Sequence, residues 1–362
     1  MLDLLPAVEE LGWNARVAIP PGGPLVELLR ARGITVDELP CGQYTCGTKS
    51  VADLLQFAAD VPRQTAAIAD SMKRADLIYV NGPRLLIAAA LAARGRVPLV
   101  FHAHHRIEQK NARYVEGMAL RRSGAIVIAC SEAVARPLRD WVPNDRIHLI
   151  PNGTPDLGFV DRPFKGRPEW RIGVIGRIAP EKGQTEFLRA AARLDETTSP
   201  TRFVICGAPL FGDRKYYDEV LQLAARLPVE FLDWQEDVAS VMRDLDILVI
   251  PSKQEGMPRI LLEAFSAGVP VVAFPVGGIP EVIEDRSTGF LARGPLAATI
   301  QEVLESDSQM VRDVANRARR EWERRYTVEN YRERITALME QCVPRAARKT
   351  AATLRHTSAT QR

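Results

Sequence analysis

The sequence predicts an α/β protein with two doubly wound domains, each built on a parallel sheet. Short runs of β-branched and other apolar residues alternate with longer segments of helical periodicity, which is the pattern of βα units. The pattern restarts near residue 170, after a segment at residues 161–167 that has turn residues and no periodicity. A length of 362 residues suffices for two domains, and 46% hydrophobic with 26% charged residues is typical of a folded globular chain.

The first half opens with an amphipathic helix that ends at Gly12. A second helix is predicted over residues 24–32, where Gly33 supplies the stop signal, and longer periodic segments predict helices over residues 51–73 and 84–93. Each strand of this half is a short apolar run, and the predicted strands cover residues 16–19, 77–80, 99–103, 125–130 and 147–150.

The second half repeats the alternation with more strongly apolar strands. These strands are predicted over residues 171–176, 203–206, 229–232, 247–250 and 271–274. A helix of good periodicity follows at residues 327–341. The predicted organisation is a first domain at residues 1–160, a linker at 161–167, a second domain at 168–326, a terminal helix at 327–342 and a basic disordered tail at 343–362.

Charge and composition exclude several classes of protein. The formal charge of +3 arises from the tail, where residues 344–362 hold five lysines and arginines and no acid, so the body is slightly acidic and nucleic acid is not a predicted partner. No apolar run is long enough to span a membrane, and the first residues lack the basic flank of a signal peptide. Five cysteines indicate reduced thiols in the cytoplasm, although Cys41 and Cys46 are close enough in sequence to pair or share a metal.

The sharpest motif follows the predicted strand at residues 247–250. The next loop carries Glu255, and a helix that Pro258 opens at its first position carries Glu263. The carboxyl ends of parallel strands are where such sheets bind ligands, which places Glu255 at the predicted binding edge. Glu263 lies among apolar neighbours, so its carboxylate requires a partner, which sugar or ribose hydroxyls would supply. A solvated or structurally paired helix residue is the alternative interpretation of Glu263.

A second motif follows the strand at residues 171–176. Arg177 and Lys182 precede a helix that starts at Gln184, and two cations with backbone donors at a helix N-terminus are suited to a diphosphate. A surface ion pair is the alternative for these two residues. Neither a Walker loop nor a G-x-G-x-x-G fingerprint occurs in the sequence.

The strand at residues 99–103 leads into three histidines. Alternation places His102 and His104 on one face and His105 on the other, with His104 nearest the binding edge. Only Glu108 is near as a further ligand, so no metal is predicted, and core or surface imidazoles remain an alternative to a catalytic role.

Three further polar features have simpler structural interpretations. Ser131 is predicted to cap a helix, and Asn152 with Gly153 is predicted to form a turn. Asp244 and Asp246 have the spacing of a metal-binding aspartate pair, but they precede a strand and therefore lie at the amino end of the sheet, away from the ligand edge.

These motifs together resemble the retaining family-4 glycosyltransferases, which have the GT-B architecture of two facing Rossmann-like domains with an interdomain cleft. The resemblance runs from about residue 2 to residue 341. It is most specific at Gly176-Arg177 with Glu181-Lys182-Gly183, at Glu255-x7-Glu263, and at Gly277-Gly278-Ile279-Pro280-Glu281. His104, Ser131, Pro151-Asn152-Gly153 and Gly207 are softer matches.

The resemblance implies metal-independent transfer of a sugar from a UDP-, GDP- or ADP-sugar to a hydroxyl acceptor, with no further cofactor. It implies that Arg177 and Lys182 hold the diphosphate and that Glu263 binds the ribose. The donor sugar would be met by Glu255, by the backbone of Gly256, Met257 and Pro258, and by His104 from the other domain. Gly207 and His102 are assigned to the same donor site, and the terminal helix is expected to return to the first domain.

Two departures from the family pattern affect this interpretation. Family members begin with a strand and a glycine-rich loop, whereas this sequence begins at the helix that should follow them, so the first strand is expected to be missing. Either the start codon is assigned too late or the protein is a degraded transferase. Leu232-Asp233-Trp234 replaces a common glycine, which leaves the base contacts open. The alternatives are therefore an impaired sugar-nucleotide-binding or assembly protein and a nucleotide-sugar epimerase. A lipid-linked acceptor, with the basic tail touching the inner face of a membrane, is a further expectation.

Overall fold

The computed structural model describes residues 2–41, 51–159, 164, 169–195, 200–210 and 214–343. The chain divides into two compact units, of which the first comprises Met1–Ile150 with Tyr331–Arg362 and the second comprises Pro151–Asn330. The residue Cys46, the predicted tail beyond residue 343 and all of the predicted linker except Phe164 lie outside the described residues. Cys41, Cys130, Cys206 and Cys342 carry free thiols.

The described residues of the first unit form two separate parallel sheets. Its strands are β1 (Arg16–Ile19), β2 (Thr35–Glu38), β3 (Ile78–Asn81), β4 (Leu99–Ala103), β5 (Ile126–Ala129) and β6 (Ile147–Leu149). The helices that precede β6 are α1 (Leu5–Glu10), α2 (Pro24–Ala31), α3 (Val51–Ser71), α4 (Leu86–Ala93), α5 (Lys110–Ser123) and α6 (Glu132–Ala135). The strands β3 to β6 pair in sequence order, and β1 pairs with β2 alone. Ser131 caps α6, as the sequence predicts, and its hydroxyl accepts a hydrogen bond from the Val134 amide.

Helix α1 packs against both sheets of this unit. Val8 lies in one core cluster with Val100 of β4 and Ile128 of β5. Leu5 lies in a second core cluster with Val17 of β1. The helix ends at Glu10, and Gly12 follows its C-cap residue Leu11 with a φ of 71°, a value that glycine adopts without strain. The two sheets are therefore joined through the apolar surface of one short helix.

In the part of the second unit that the structure describes, six strands form one parallel sheet with helices around it. Its strands are β7 (Trp170–Ile175), β8 (Thr201–Cys206), β9 (Val229–Leu232), β10 (Ile247–Ile250), β11 (Val271–Ala273) and β12 (Phe290–Leu291). Its helices are α7 (Gln184–Asp195), α8 (Arg214–Ala224), α9 (Val238–Asp244), α10 (Arg259–Ala267), α11 (Ile279–Val282), α12 (Leu296–Glu305) and α13 (Ser308–Arg325). The strand order is β12-β11-β10-β7-β8-β9, so the chain winds outward in one direction from β7 and in the other from β10. The topological switch point of the sheet lies between these two strands.

The last helix, α14 (Val328–Cys342), contributes to the core of the first unit. Tyr331, Ile335 and Leu338 pack in the cluster that contains Val8 and Val100.

The second unit begins before the domain boundary predicted at residue 160. Thr154 is completely buried, its backbone amide donates to the carbonyl of Tyr326, and its hydroxyl accepts from the indole of Trp322. These bonds tie residues 151–159 to the second unit. Within the described ranges, no helix is long and apolar enough to cross a membrane.

Candidate functional site

The two loops that carry the sharpest motifs meet at the switch point of the second unit. One loop, residues 176–183, follows β7, and the other, residues 251–258, follows β10; we call them the switch-point loops. Strands β7 and β10 are hydrogen-bonded neighbours, with Ile247 opposite Ile172 and Leu248 opposite Gly173. Since all strands of this sheet are parallel, both loops leave the same edge, and a crevice for ligands is expected between them.

An ion pair joins the switch-point loops. The Lys182 Nζ lies 2.6 Å from the Glu255 Oε1, and the exposed fractions of these side chains are 29% and 9%. A buried carboxylate requires such a partner, because the loss of hydration otherwise disfavours its charge. The predicted cation and the predicted carboxylate thus come together directly, although they are separated by more than seventy positions in sequence.

Arg177, the second predicted cation, lies in the loop after β7. Its guanidinium pairs with the carboxylate of Glu181, and its carbonyl accepts a hydrogen bond of 2.9 Å from the Gln184 side chain at the start of α7. The sequence therefore correctly located two cations beside a helix N-terminus. Both cations are paired with carboxylates.

Two glycines allow close packing at this end of the sheet, Gly183 between the two switch-point loops and Gly277 between the loop after β11 and the second switch-point loop. A Cβ on Gly183 would lie 2.0 Å from the carbonyl oxygen of Pro251, and one on Gly277 would lie 1.7 Å from that of Glu255. Both glycines have positive φ values, 72° and 55°, which disfavour other residues. The Lys253 amide also donates to the Glu181 carbonyl at 2.8 Å. Main-chain contacts therefore fix the loops in addition to the ion pair.

Gly207, at the end of β8, makes a similar close approach to the loop after β7. A Cβ at this position would lie 2.1 Å from the Gly176 carbonyl oxygen, and its φ is 139°. The structure therefore gives Gly207 a packing role beside the switch-point loops.

Asn152 braces the second switch-point loop through a hydrogen bond that the sequence did not predict. Its side chain is 8% exposed, and its amide donates a hydrogen bond of 2.9 Å to the Met257 carbonyl. The Arg259 guanidinium donates in return to the Gly153 carbonyl at 3.1 Å. The pattern Pro-Asn-Gly indicated only a turn, and the burial of its asparagine was not readable from the sequence.

Helix α10 starts one residue later than the sequence predicts. Pro258 is the N-cap residue, with a φ of −69° and a ψ of 124°, and Arg259 is the first helical residue. Glu263 lies one turn further on with 17% of its side chain exposed, and Arg259 Nε is 3.9 Å from its carboxylate. Arg259, on the same helix, thus provides part of the pairing that was expected for the Glu263 carboxylate.

The aspartate pair before β10 is engaged structurally, in keeping with its position at the amino end of the sheet. The Asp246 carboxylate accepts from the Arg171 amide at 2.8 Å, and the Asp244 carboxylate lies 2.6 Å from the Arg171 guanidinium. Within the part of the chain that the structure describes, no group of three His, Cys, Asp or Glu side chains could hold a metal ion.

The predicted histidines belong to the first unit. His102 is fully buried in β4, and its Nδ1 contacts the Tyr79 hydroxyl of β3. Burial, followed by the charge of His104, lowers the pKa of His102 to about 2, so this ring is neutral near pH 7. The His104 ring lies 4.0 Å from that of His102, as alternation predicted, and its Nε2 is 2.7 Å from the Asn81 Oδ1.

Comparisons with known proteins agree with this architecture. A family model described as "Glycosyl transferase 4-like domain" matches residues 1–153, and one described as "Glycosyl transferases group 1" matches residues 161–321. The fold resembles that of the Anabaena protein HepE, solved in complex with UDP and glucose, with a TM-score of 0.78 and 24% identity over 94% of this chain and 95% of HepE. The fold is thus that of GT-B structures, and the two family models that match the chain both describe glycosyl transferases.

Curated relatives match part of the chain. A D-inositol 3-phosphate glycosyltransferase of Nocardia farcinica is 31% identical over 58% of this chain and 53% of its own length. An Escherichia coli enzyme is 27% identical over 60% of this chain and 62% of its own length, and is named UDP-Gal:alpha-D-GlcNAc-diphosphoundecaprenol alpha-1,3-galactosyltransferase. The chain thus spans less than two thirds of the length of these relatives.

Proposed function

We propose that the protein transfers a sugar from a nucleoside-diphosphate-sugar, most simply a UDP-sugar, to a hydroxyl group with retention at the anomeric carbon. The observation that carries the proposal is the Lys182–Glu255 pair at the switch point of the second unit, with Arg177 in the same loop. The occurrence of UDP with HepE and in the name of the E. coli relative supports uracil as the base. The same relative's name supports a lipid-linked acceptor as one candidate.

The switch-point loops suggest how the leaving group would be stabilised. A departing diphosphate gains negative charge, and Arg177, Lys182 and the N-terminus of the twelve-residue helix α7 supply positive charge without a metal ion. On binding, the diphosphate would compete with Glu255 for Lys182. The Glu255 carboxylate, only 9% exposed, would then need new donors, which the hydroxyls of the donor sugar supply.

The remaining contacts follow from the same arrangement. The backbone of Gly256, Met257 and Pro258 adjoins Glu255 and would meet the donor sugar. Glu263, in the first turns of α10, would accept hydrogen bonds from ribose hydroxyls. We propose that His104 also contacts the sugar. Retention would follow either from attack on the same face as the leaving phosphate, which accepts the acceptor's proton, or from a covalent intermediate.

A donor screen tests this proposal. UDP-, GDP- and ADP-sugars are added to the full-length protein with EDTA, and thermal stabilisation, nucleotide release and glycosylated product are measured with glycosides and lipid-linked sugars as acceptors. Stabilisation by one donor and formation of an α-linked product from an α-linked donor is expected. Epimerised free sugar without an acceptor would instead indicate an epimerase. Donor binding with no turnover in any mixture would indicate a binding protein, and both results would contradict transfer.

Replacing Asn152 with alanine is expected to weaken UDP binding while the protein remains folded. The substitution removes the bond to the Met257 carbonyl and leaves this buried backbone group unsatisfied. Loss of one such bond costs about 1–2 kcal/mol, equivalent to a roughly 5- to 30-fold increase in Kd if the loop must be braced to bind. Calorimetric titration with UDP measures the effect. Asn144→Ala, at an exposed position, is the control, and equal affinities in the two variants would contradict the bracing role.

A further inference from the structure

One buried side chain closes the loop that follows β7. Gln184 is the first residue of α7 and is completely buried. Its Nε2 donates to the Arg177 carbonyl at 2.9 Å, and its Oε1 accepts from the Ala179 amide at 3.4 Å. A backbone carbonyl can only accept and a backbone amide can only donate, so these partners assign both ends of the carboxamide. The side chain of Gln184 therefore bridges the end of the loop to its beginning.

Tyr216 of α8 supports this bridge from the neighbouring helix. Its hydroxyl donates to the Gln184 Oε1 at 3.2 Å and accepts from the Thr185 amide at 3.2 Å. Gly183, whose carbonyl accepts the first hydrogen bond of α7, has no side chain with which to cap the helix, so the phenol satisfies the Thr185 amide instead. Burial raises the pKa of Tyr216, so the phenol keeps the proton that it donates. We call Gln184 and Tyr216 the loop clasp.

The loop clasp acts on the backbone of both predicted cations. The carbonyl of Arg177, the first cation, binds the clasp directly. The clasp reaches Lys182, the second cation, through Ala179, whose amide binds Gln184 and whose carbonyl accepts from the Lys182 amide at 2.9 Å. This last bond closes the short 3₁₀ helix Pro180–Lys182. A single carboxamide therefore holds the backbone at both cation-bearing positions.

We propose that Gln184 is a positioning residue, which holds the loop after β7 in the shape that presents Arg177 and Lys182 to a diphosphate, with Tyr216 as its support. The ligand rests on the proposed function, whereas the loop clasp is inferred from its contacts alone. Gln184 is too deeply buried to touch a nucleotide itself. Its effect is exerted through the loop, because a loop that is already ordered loses less conformational entropy when it binds.

A purely structural role for Gln184 makes a different prediction from a positioning role. Both roles lower the melting temperature of Gln184→Met, in which a side chain of similar length lacks the carboxamide. A residue that acts through Lys182 has a smaller effect on diphosphate affinity once the Lys182 side chain is removed. A purely structural residue has the same effect with and without that side chain, because independent contributions add.

Calorimetric titration in EDTA measures this difference, with the full-length protein and whichever of UDP, GDP and ADP binds to the wild type. Gln184→Met is expected to raise the Kd by about tenfold or more, the effect of losing about one buried hydrogen bond. In the Lys182→Ala background the same substitution should raise the Kd by about threefold or less. Tyr216→Phe, which keeps the ring and removes the hydroxyl, should show the same pattern with smaller factors, and it carries the test if Gln184→Met does not fold.

Val311→Ala is the matched control for loss of stability. Val311 is fully buried in the same unit and lines a cavity with Leu245 and Pro270. Those two residues precede β10 and β11, so the cavity lies at the amino end of the sheet, away from the switch-point loops. The control should lower the melting temperature while the Kd for the nucleotide stays at the wild-type value.

Hydrogen exchange in the absence of nucleotide tests the loop clasp separately from the ligand. The backbone amides of residues 177–183 are expected to exchange faster in Gln184→Met than in the wild type and in Val311→Ala. Equal exchange in the three proteins, or an equal increase in Kd with and without the Lys182 side chain, would overturn the positioning role. If exchange is as expected but the wild type binds none of the three nucleotides, the loop clasp stands, whereas the proposed function fails and the positioning role fails with it.

Discussion

Lys182→Ala is expected to lower kcat/KM for sugar transfer by about 10²- to 10³-fold. Enzymes typically lose activity by this factor when one preorganised group that stabilises a developing negative charge is removed. The substitution removes one of the two cations proposed for the leaving diphosphate. It also leaves the Glu255 carboxylate, 9% exposed, without the ammonium that lies 2.6 Å away. The measurement is steady-state release of UDP with the donor and acceptor identified by the screen, together with UDP affinity by calorimetry.

Two comparisons distinguish this effect from a general loss of charge or stability. Lys73→Ala removes a lysine that also pairs with a carboxylate, but both partners are about three quarters exposed, so activity should be unchanged. The double variant Lys182→Ala/Glu255→Gln should melt at a higher temperature than Lys182→Ala, because a buried amide costs less than a buried unpaired carboxylate. Activity near that of the wild type in Lys182→Ala would contradict the assignment of Lys182 to the diphosphate site.

Gly277→Ala is expected to cause the largest loss of stability among these variants. The new methyl group would lie 1.7 Å from the Glu255 carbonyl oxygen, and the φ of 55° disfavours any residue with a Cβ. Together these effects should cost about 3 kcal/mol or more, which corresponds to a fall of roughly 6–12 °C in the melting temperature of a unit of this size. Since the strain acts on Glu255 directly, UDP affinity should fall as well.

Gly294→Ala is the matched control for this substitution. No atom lies within 4 Å of a Cβ at Gly294, and its φ is not in the positive range. This variant should melt within about 1–2 °C of the wild type, as is usual for surface substitutions. Equal melting temperatures for the Gly277 and Gly294 variants would show that the loop after β11 can move away from Glu255 without cost.

The sequence predicted the buried strands well because a strand covered on both faces leaves a continuous apolar run. Residues 247–250, all of which are buried, have the bounds that were predicted. Strand β2 was missed, since two of its four residues are acidic. Asp37 binds Arg16 of β1 and Glu38 binds Arg30 of α2, so the charges that mask the strand are neutralised by partners distant in sequence. Strand β12 was missed because two residues carry no readable periodicity.

The site was predictable as two loops but not as one arrangement. Strand order decides that the loops after β7 and β10 are neighbours, and this order is not encoded in local periodicity. The ion pair of Lys182 with Glu255 and the brace from Asn152 to Met257 both depend on that order. The soft match at Pro151-Asn152-Gly153 was the only sequence signal that could have drawn attention to the brace.

The central claim is that the switch-point loops bind a nucleoside diphosphate through Lys182 without a metal ion. Calorimetric titration of UDP, GDP and ADP into the wild-type protein and Lys182→Ala, all in EDTA, tests it most directly. We expect saturable binding of one nucleotide to the wild-type protein and at least about tenfold weaker binding to Lys182→Ala, the loss that 1.4 kcal/mol represents. Absence of binding by all three nucleotides, or equal affinity in the two proteins, would contradict the claim.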